Sequence, residues 1–256
     1  MSSFLFHNKN ISINKLEKYL NLTGNLILQS KIYSDKNFSV SSLRNPPIKG
    51  DRILENDNWI ILFSGDIVEY SSVPFNEIIS NIENNKFENF SKFNGIFCVI
   101  AYHKQTEFLY AISDRRAQYP VFYFINNGSL IFTSELSLLT YLIEKPVFNE
   151  EWLYEYLYFN FPIMDTTFLK NVQKLIPATC FKIDMKNGKQ SQIKYANNYS
   201  RYENLIDGND ALAFAAETLK KRIPVYFKGG KEVACAFTSG WDGRTNLALA
   251  PKDCNL

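Results

Sequence analysis

Short apolar blocks recur along the chain from residue 59 onward, and they predict strands. An uninterrupted apolar run at residues 59–63 is typical of a strand that is buried on both faces. Further apolar blocks come in pairs separated by short polar stretches, which is the pattern of β-hairpins. The predicted hairpins join residues 94–102 with 107–112, 121–125 with 129–132, and 180–184 with 192–195.

Helical spacing of apolar residues falls between these strands. Residues 75–82 carry four apolar side chains on one helical face. Two more helices are predicted at residues 134–143 and 149–159, the second with Asn149 as its N-cap. The first 58 residues show a weaker pattern, which predicts only a short helix at 13–22 and a strand at 26–33. Antiparallel strands with helices packed on them indicate a layered α+β domain over residues 1–200.

The pattern changes after residue 200. A polar stretch at 196–209 is expected to be a linker, and residues 210–222 predict a helix with Leu212, Ala215, Ala216 and Leu219 on its inner face. An apolar run at 233–237 then predicts a buried strand, and a helix is expected from residue 245. Helix, strand, helix is typical of the entry to a doubly wound α/β domain. Residues 201–256 are therefore expected to be the truncated start of such a domain, in a chain that is the front part of a longer protein or is completed elsewhere.

Composition and charge exclude several classes of protein. The formal net charge of +2 without a long basic run argues against a nucleic-acid partner. No apolar stretch is long enough for a membrane span, and the N-terminus lacks the features of a signal peptide. The four cysteines show no paired spacing, which favours reduced thiols and a cytoplasmic location.

The stretch with the clearest chemistry is the turn at residues 238–244. A strand, a turn of small polar residues and a helix start would present backbone N–H groups and a helix dipole to an anion. A carboxylate in this turn, Asp242, would repel phosphate unless a cation lay between them, so it is a candidate ligand for Mg²⁺ held jointly with ATP. The candidate nucleotide-binding residues are Thr238, Ser239, Gly240, Asp242, Gly243 and Arg244.

Ordinary structural roles are open for the same residues. Asp242 could be a helix N-cap, and Thr238 and Ser239 could simply form the turn. Arg244 could be a solvated arginine at the helix start. Trp241 is expected to pack against other side chains and not to stack on an adenine ring. Elsewhere, the aromatic helix at 152–159 is expected to be an interdomain or core face, and Asp114 is expected to pair with Arg115.

The turn resembles the SGGxDS pyrophosphate loop of the asparagine synthetase family and other ATP pyrophosphatases. Gly240 and Asp242 occupy the positions of the second glycine and the aspartate, whereas Thr238, Ser239 and Gly243 depart from the motif. Other stretches are similar to family motifs in the same order along the chain. They are residues 64–67 (SGDI, for the NGEI oxyanion turn), 93–97 (FNGIF, for LxGMFAF), 113–123 (SDRRAQYPVFY, for RDRxGxxPLYY), 133–136 (TSEL, for ASExKAL) and 175–179 (LIPAT, for LPPG).

This resemblance implies a two-domain enzyme. Residues 1–200 would be an N-terminal nucleophile (Ntn) glutaminase-like αββα sandwich. The domain after it would bind ATP and Mg²⁺, adenylate a small-molecule or peptide carboxylate, and let ammonia or an amine displace AMP to form an amide. A homodimer is left open, and neither nucleic acid nor membrane is expected as a partner.

The glutaminase part departs from the family at several points. Ser2 stands where the family has its nucleophilic cysteine, and Ser64, next to Gly65, stands at the oxyanion asparagine. The substrate-binding arginine segment has no clear counterpart beyond Arg44, and the aspartate-bearing segment is shortened to residues 70–74. Glutaminase activity is therefore expected to be lost, as in the family's β-lactam synthetases and lasso-peptide cyclases. The alternative is a non-catalytic, glutaminase-like scaffold that binds a partner.

Overall fold

The computed structural model describes residues 3–8, 18–19, 29–34, 38–43, 52–126, 128–163, 165–196, 207–227 and 233–254. The chain divides into two compact units, and each is described by itself. The first unit comprises Met1–Ile67 and Ser72–Asn197, and the second comprises Val68–Ser71 and Asn198–Leu256. The division into domains at residue 200 stays a prediction. Within the described ranges, no helix is both long and apolar enough to cross a bilayer.

The described strands of the first unit form two antiparallel sheets of six strands each. The strands are β1 Phe4–Asn8, β2 Gln29–Ser34, β3 Phe38–Ser42, β4 Ile53–Glu55, β5 Trp59–Ile67, β6 Gly95–His103, β7 Phe108–Ser113, β8 Phe122–Asn126, β9 Ser129–Thr133, β10 Val172–Lys174, β11 Thr179–Asp184 and β12 Gln190–Lys194. The first sheet has the order β10-β8-β9-β1-β3-β2, and the second has the order β12-β11-β7-β6-β5-β4. The predicted hairpins are confirmed. Residues 13–17 and 20–28 of the predicted N-terminal helix and strand lie outside the described residues.

Alternation along the strands sends apolar side chains into separate cores. In β5, Ile60 and Leu62 face the other sheet, whereas Trp59, Ile61 and Phe63 face outward. The inner core also contains Phe4 and Phe6 of β1, so it lies between the two sheets. Both faces of the central strands are thus buried, which explains the uninterrupted apolar run at 59–63.

Helices cover the two outer faces. Helix α1 (Phe75–Glu83) buries Ile78 and Ile82 against the outer face of the second sheet, beside a 3₁₀ turn at Phe87–Lys92. Helix α2 (Leu136–Leu142) buries Leu138, Leu139 and Leu142 against the outer face of the first sheet. The order helix, sheet, sheet, helix confirms the expected α+β sandwich of four layers.

The aromatic helix differs from its prediction. Helix α3 (Glu150–Phe159) begins after Asn149 as predicted, but none of its ten side chains is buried. On its inner side, the ring of Trp152 lies edge-on to Phe168, with 5.9 Å between ring centroids. The core-face alternative is therefore wrong, because no side chain of this helix is buried, whereas the interdomain alternative stays a prediction.

The second unit also departs from its prediction. It contains helix α4 (Gly208–Arg222), a 3₁₀ segment at Ile223–Phe227 and helix α5 (Trp241–Ala248). Residues 233–238 are extended but form no strand, and Phe237 is 66% exposed. The predicted buried strand is wrong, because the described residues of this unit offer no neighbouring strand for it to pair with. The predicted inner face of α4 is likewise exposed at Leu212 and Leu219.

Two glycines allow strands β5 and β6 to approach each other closely. A Cβ atom at Gly95 would lie 2.0 Å from the carbonyl oxygen of Asp66, and one at Gly65 would lie 2.0 Å from that of Ile96. Real contacts of this kind are never so short, so only glycine fits at either position without a shift of the backbone.

We expect Gly95→Ala to lower the free energy of unfolding by about 2–3 kcal/mol, because the new methyl group overpacks the pair of strands. Gly128→Ala is the control, since its φ of +79° is unfavourable for alanine but its surroundings are open. That variant should lose about 1 kcal/mol from backbone strain alone. Urea denaturation measures both variants, and equal losses would contradict the steric explanation.

Candidate functional site

The residues predicted for the glutaminase-like site fall into two groups. Ser2 and Arg44 lie outside the described residues, whereas Ser64 and Gly65 lie in β5. The expected turn at residues 64–67 is wrong, because this stretch continues β5 and pairs with β6 as far as Ile67 opposite Gly95. Gly65 keeps a φ of +102° within the strand, so the backbone is bent locally without leaving the sheet.

Ser64 points into the core between the sheets. Its side chain follows Ile60 and Leu62 on the inner face of β5, and the residue is only 2% exposed. Its hydroxyl shares a hydrogen bond of 2.6 Å with the phenol of Tyr119. The resemblance places an oxyanion donor at position 64. The structure has a buried hydroxyl there that is already hydrogen-bonded to Tyr119.

Tyr119 is the residue that the sequence analysis missed. It is buried in the inner core, and its ring stacks on Phe4 with 6.2 Å between centroids. Burial raises the pKa of Tyr119 to about 12, with a smaller opposing effect of the Ser64 hydrogen bond. The only sequence signal was a tyrosine directly before Pro120 in a polar loop, which does not indicate burial.

The start of β1 is fixed by the segment that follows β9. The hydroxyl of Ser3 donates to the carboxylate of Glu135 over 2.6 Å, and the amide of Phe4 donates to the hydroxyl of Ser134 over 3.1 Å. The hydroxyl of Thr133 donates to the carbonyl of Phe4 over 2.8 Å. The residues next to Ser2 are thereby anchored on the TSEL stretch that the sequence analysis singled out.

A buried carboxylate shapes the loop that carries Tyr119. Asp114 is 1% exposed and accepts hydrogen bonds from the backbone amides of Arg116, Gln118 and Tyr119, at 2.9, 3.1 and 2.9 Å. The loop is wrapped around this carboxylate, which positions Tyr119 beneath Ser64. The guanidinium of Arg115 donates to the side chain of Asn94.

The carbonyl of Asp114 joins this loop to the entry of β11. It accepts the amides of Ala117 at 3.1 Å and Ala178 at 3.0 Å. Both alanines have left-handed backbone angles, with φ of +48° and +53°. In the motifs that the sequence resembles, both positions are glycine, which adopts such angles without the cost that a Cβ atom brings.

Arg52 holds the bent end of β5. Its guanidinium donates to the carbonyl of Gly65 and to the carboxylate of Asp66, each at 2.8 Å. The cation also lies over the ring of Phe63, 5.6 Å from the centroid. These contacts take up the carbonyl of Gly65 and fix the strand end next to Ser64.

The buried cysteines are poorly suited to act as nucleophiles. Cys98 lies in the inner core, and burial, with a further contribution from Asp114, raises the pKa of its thiol. Burial likewise raises the pKa of Cys180 to about 12. Both thiols are therefore protonated at neutral pH and shielded from substrates. The four cysteines are free thiols, of which Cys98 and Cys180 are buried and Cys235 and Cys254 are partly exposed.

The turn at residues 238–244 is compact and exposed. Helix α5 begins at Trp241 with Gly240 as its N-cap, so it starts four residues earlier than predicted. Asp242 thus lies in the first helical turn, and its alternative role as the N-cap is excluded. The amide of Gly240 donates to the hydroxyl of Thr238 over 3.3 Å, which gives the loop a preformed turn.

Close packing within this turn depends on Gly243. A Cβ atom there would lie 2.7 Å from the carbonyl oxygen of Ala236, so the helix start rests directly on the extended segment before it. Trp241 is 79% exposed, and the guanidinium of Arg244 lies 5.7 Å from its ring centroid. Trp241 is thus not packed among the described residues of this unit, and its expected packing role stays a prediction. Among the described residues, no group of three or more side chains of His, Cys, Asp or Glu could bind a metal ion.

Comparison with known proteins relates the first unit to a family. Residues 76–196, just under half of the chain, match the family model described as a glutamine amidotransferase domain. This match supports a glutamine amidotransferase-like domain in the first unit. No curated protein matches the chain at a significant level.

Two solved structures are similar to this chain. One is glutamine phosphoribosylpyrophosphate amidotransferase from B. subtilis, complexed with ADP and GMP, with a TM-score of 0.44, 9% identity, and coverage of 87% of this chain and 58% of that one. The other is the allosteric regulatory enzyme of purine biosynthesis, with a TM-score of 0.44, 7% identity, and coverage of 77% and 50%. This chain thus spans about half the length of each, and likeness at this level bears on neither activity nor substrate.

We expect the stability of the protein to fall as the pH rises from about 10 to about 12. In the unfolded chain tyrosine ionises near 10, whereas the pKa of buried Tyr119 is raised to about 12, so the native state holds its proton longer. This contribution is complete below pH 10 and is lost through that window. Tyr119→Phe should cost about 1–2 kcal/mol at pH 8, because the hydroxyl of Ser64 loses its partner, and the cost should shrink toward pH 12.

Urea denaturation at several pH values measures both effects. Tyr154→Phe, at an exposed position on α3, is the matched control and should leave stability unchanged at every pH. A cost for Tyr119→Phe that does not vary between pH 8 and pH 11 would refute the assignment of a raised pKa to this phenol.

Proposed function

We propose that this chain is part of an asparagine synthase-like, ATP-dependent amide-forming ligase whose glutaminase-like unit no longer hydrolyses glutamine. The proposed loss of glutaminase activity rests on the buried hydrogen bond between Ser64 and Tyr119. An oxyanion hole needs a donor that reaches the reacting carbonyl, and the hydroxyl of Ser64 instead points into the core. The nitrogen would then come from ammonia or from an amine of the second substrate.

The proposed ligase activity rests on the order of family-like motifs and on the turn at 238–244. We expect this turn to accommodate a phosphate group, because Gly243 lets the helix start lie against the extended segment and Thr238, Ser239 and Gly240 have small side chains. Asp242 in the first helical turn would share a Mg²⁺ ion with phosphate oxygens and water. Arg244, on the same helix, would approach the phosphates. MgATP would supply the adenylyl group that activates a small-molecule or peptide carboxylate.

We expect the full gene product to exchange labelled pyrophosphate into ATP in the presence of its carboxylate substrate. Asp242→Ala should lower this exchange by at least about 100-fold, because the Mg²⁺ that neutralises the phosphates loses its protein ligand. Asp253→Ala removes another exposed carboxylate of the same unit and should leave exchange unchanged. If exchange persisted in Asp242→Ala, Asp242 would not belong to the site.

Glutamine should yield no glutamate with this protein. In a coupled assay for glutamate, Ser2→Ala and the unchanged chain should therefore both show no glutamate release. Release of glutamate that disappears in Ser2→Ala would show that the N-terminal serine is a working nucleophile, and would overturn the proposed loss of glutaminase activity.

A non-catalytic scaffold is the second candidate. The exposed apolar surface of α3 favours it, because a helix with no buried side chain suggests a surface that another molecule covers. Absence of pyrophosphate exchange across candidate carboxylates, together with a bound partner, would support the scaffold over the ligase.

A further inference from the structure

Tyr119 lies between two stretches that the resemblance assigns to a glutaminase site. Its phenol shares a hydrogen bond of 2.6 Å with the hydroxyl of Ser64, at the expected oxyanion position in β5. Its ring stacks on Phe4, two residues after Ser2, with 6.2 Å between ring centroids. Strand β1 belongs to the first sheet and β5 to the second. The side chain of Tyr119 therefore fills space between the sheets, in contact with both.

A second hydrogen bond joins the phenol to the start of β1. Burial raises the pKa of Tyr119, and hydrogen bonds to the hydroxyls of Ser64 and Ser134 oppose this effect. The hydroxyl of Ser134 also accepts the amide of Phe4 over 3.1 Å. A chain of hydrogen bonds thus runs from the expected oxyanion position through the phenol to the first described strand.

The distance between Tyr119 and Ser64 is the distance expected for a substrate. An oxyanion donor lies about 2.7–3.1 Å from the oxygen that it stabilises. The phenol oxygen lies 2.6 Å from the hydroxyl of Ser64, and the two residues are only 1% and 2% exposed. The phenol oxygen of Tyr119 therefore stands where the carbonyl oxygen of a bound amide would have to lie.

The backbone on both sides of the ring is fixed. The amides of Gln118 and Tyr119 donate to the buried carboxylate of Asp114 over 3.1 and 2.9 Å. After Pro120, the carbonyl of Val121 accepts the amide of Leu175 over 2.9 Å. The ring cannot leave its place unless these buried hydrogen bonds break, and breaking them is costly.

We propose that Tyr119 is a built-in block of the glutaminase-like site, and that a small primary carboxamide enters beside Ser64 only when this side chain is shortened. A carboxamide is the matching ligand, because its oxygen and N–H groups can replace the phenol as partner of the Ser64 and Ser134 hydroxyls. This proposal rests on the proposed loss of glutaminase activity and gives it a second cause, so a new nucleophile alone would not restore access.

A thiol introduced at position 2 reports access to the site in the full chain. Ser2→Cys is treated with iodoacetamide, a carboxamide whose methylene carbon bonds to the thiolate sulfur as iodide leaves. Peptide mapping by mass spectrometry follows the alkylation, and partly exposed Cys254 is the internal reference. Adding Tyr119→Ala should speed alkylation of the introduced thiol by at least about 10-fold. Excess propionamide should slow that reaction but not the alkylation of Cys254.

Three further variants, each combined with Ser2→Cys, separate blocking from loosening of the core. Tyr119→Phe keeps the ring and should stay as slow as the chain with Tyr119, although the hydrogen bond to Ser64 is lost. Tyr123→Ala removes another buried tyrosine of the same core and should not speed alkylation. Tyr119→Leu removes less volume and replaces Tyr119→Ala if circular dichroism shows that the latter is unfolded.

Three outcomes would overturn the proposal. They are alkylation of the introduced thiol as fast as that of Cys254 while Tyr119 is present, equal acceleration by Tyr123→Ala, and acceleration by Tyr119→Ala on which propionamide has no effect. Fast alkylation without glutamate release from the unchanged chain would remove the block and leave the proposed loss of glutaminase activity in place. Glutamate release from the unchanged chain would overturn both, so the two failures are distinguishable.

Discussion

The buried carboxylate of Asp114 is the constraint on which the described first unit depends. It accepts three backbone amides from its own loop, while its carbonyl accepts the amides of Ala117 and Ala178. A carboxylate taken out of water needs such partners, since an unsatisfied buried charge is very costly. The loop between β7 and β8 crosses from one sheet to the other, so this residue ties both sheets together and sets where Tyr119 lies.

The candidate glutaminase-like site follows from that arrangement. Because the loop delivers the phenol of Tyr119 under β5, the hydroxyl of Ser64 has a partner inside the core and not in a cleft. Arg52 fixes the neighbouring carbonyl of Gly65, and the contacts of Ser3 with Glu135 anchor the chain beside Ser2. At the position of the expected oxyanion donor, the hydroxyl of Ser64 is thus used for packing within the core.

Most of the first unit could be predicted from the sequence, because strands buried on both faces and strongly amphipathic helices leave clear patterns. The run at 59–63 and the helix at 75–83 are examples. Tyr119 could not be predicted, since its burial depends on a loop shaped by Asp114. The run at 233–237 was misassigned because apolar residues predict a strand only where a neighbouring strand exists to accept its hydrogen bonds. Around the candidate site, the role of residues 238–244 stays a prediction.

The left-handed alanines have a consequence for the order of assembly. Their backbone angles are uncommon in an unfolded chain, and each is kept by an amide that reaches the same oxygen of Asp114. Ala178 comes far later along the chain than Asp114, so that oxygen gains its second partner only after β11 has docked beside β7. The position of Tyr119 is therefore expected to be fully fixed only while β11 is paired with β7, and to loosen when β11 separates.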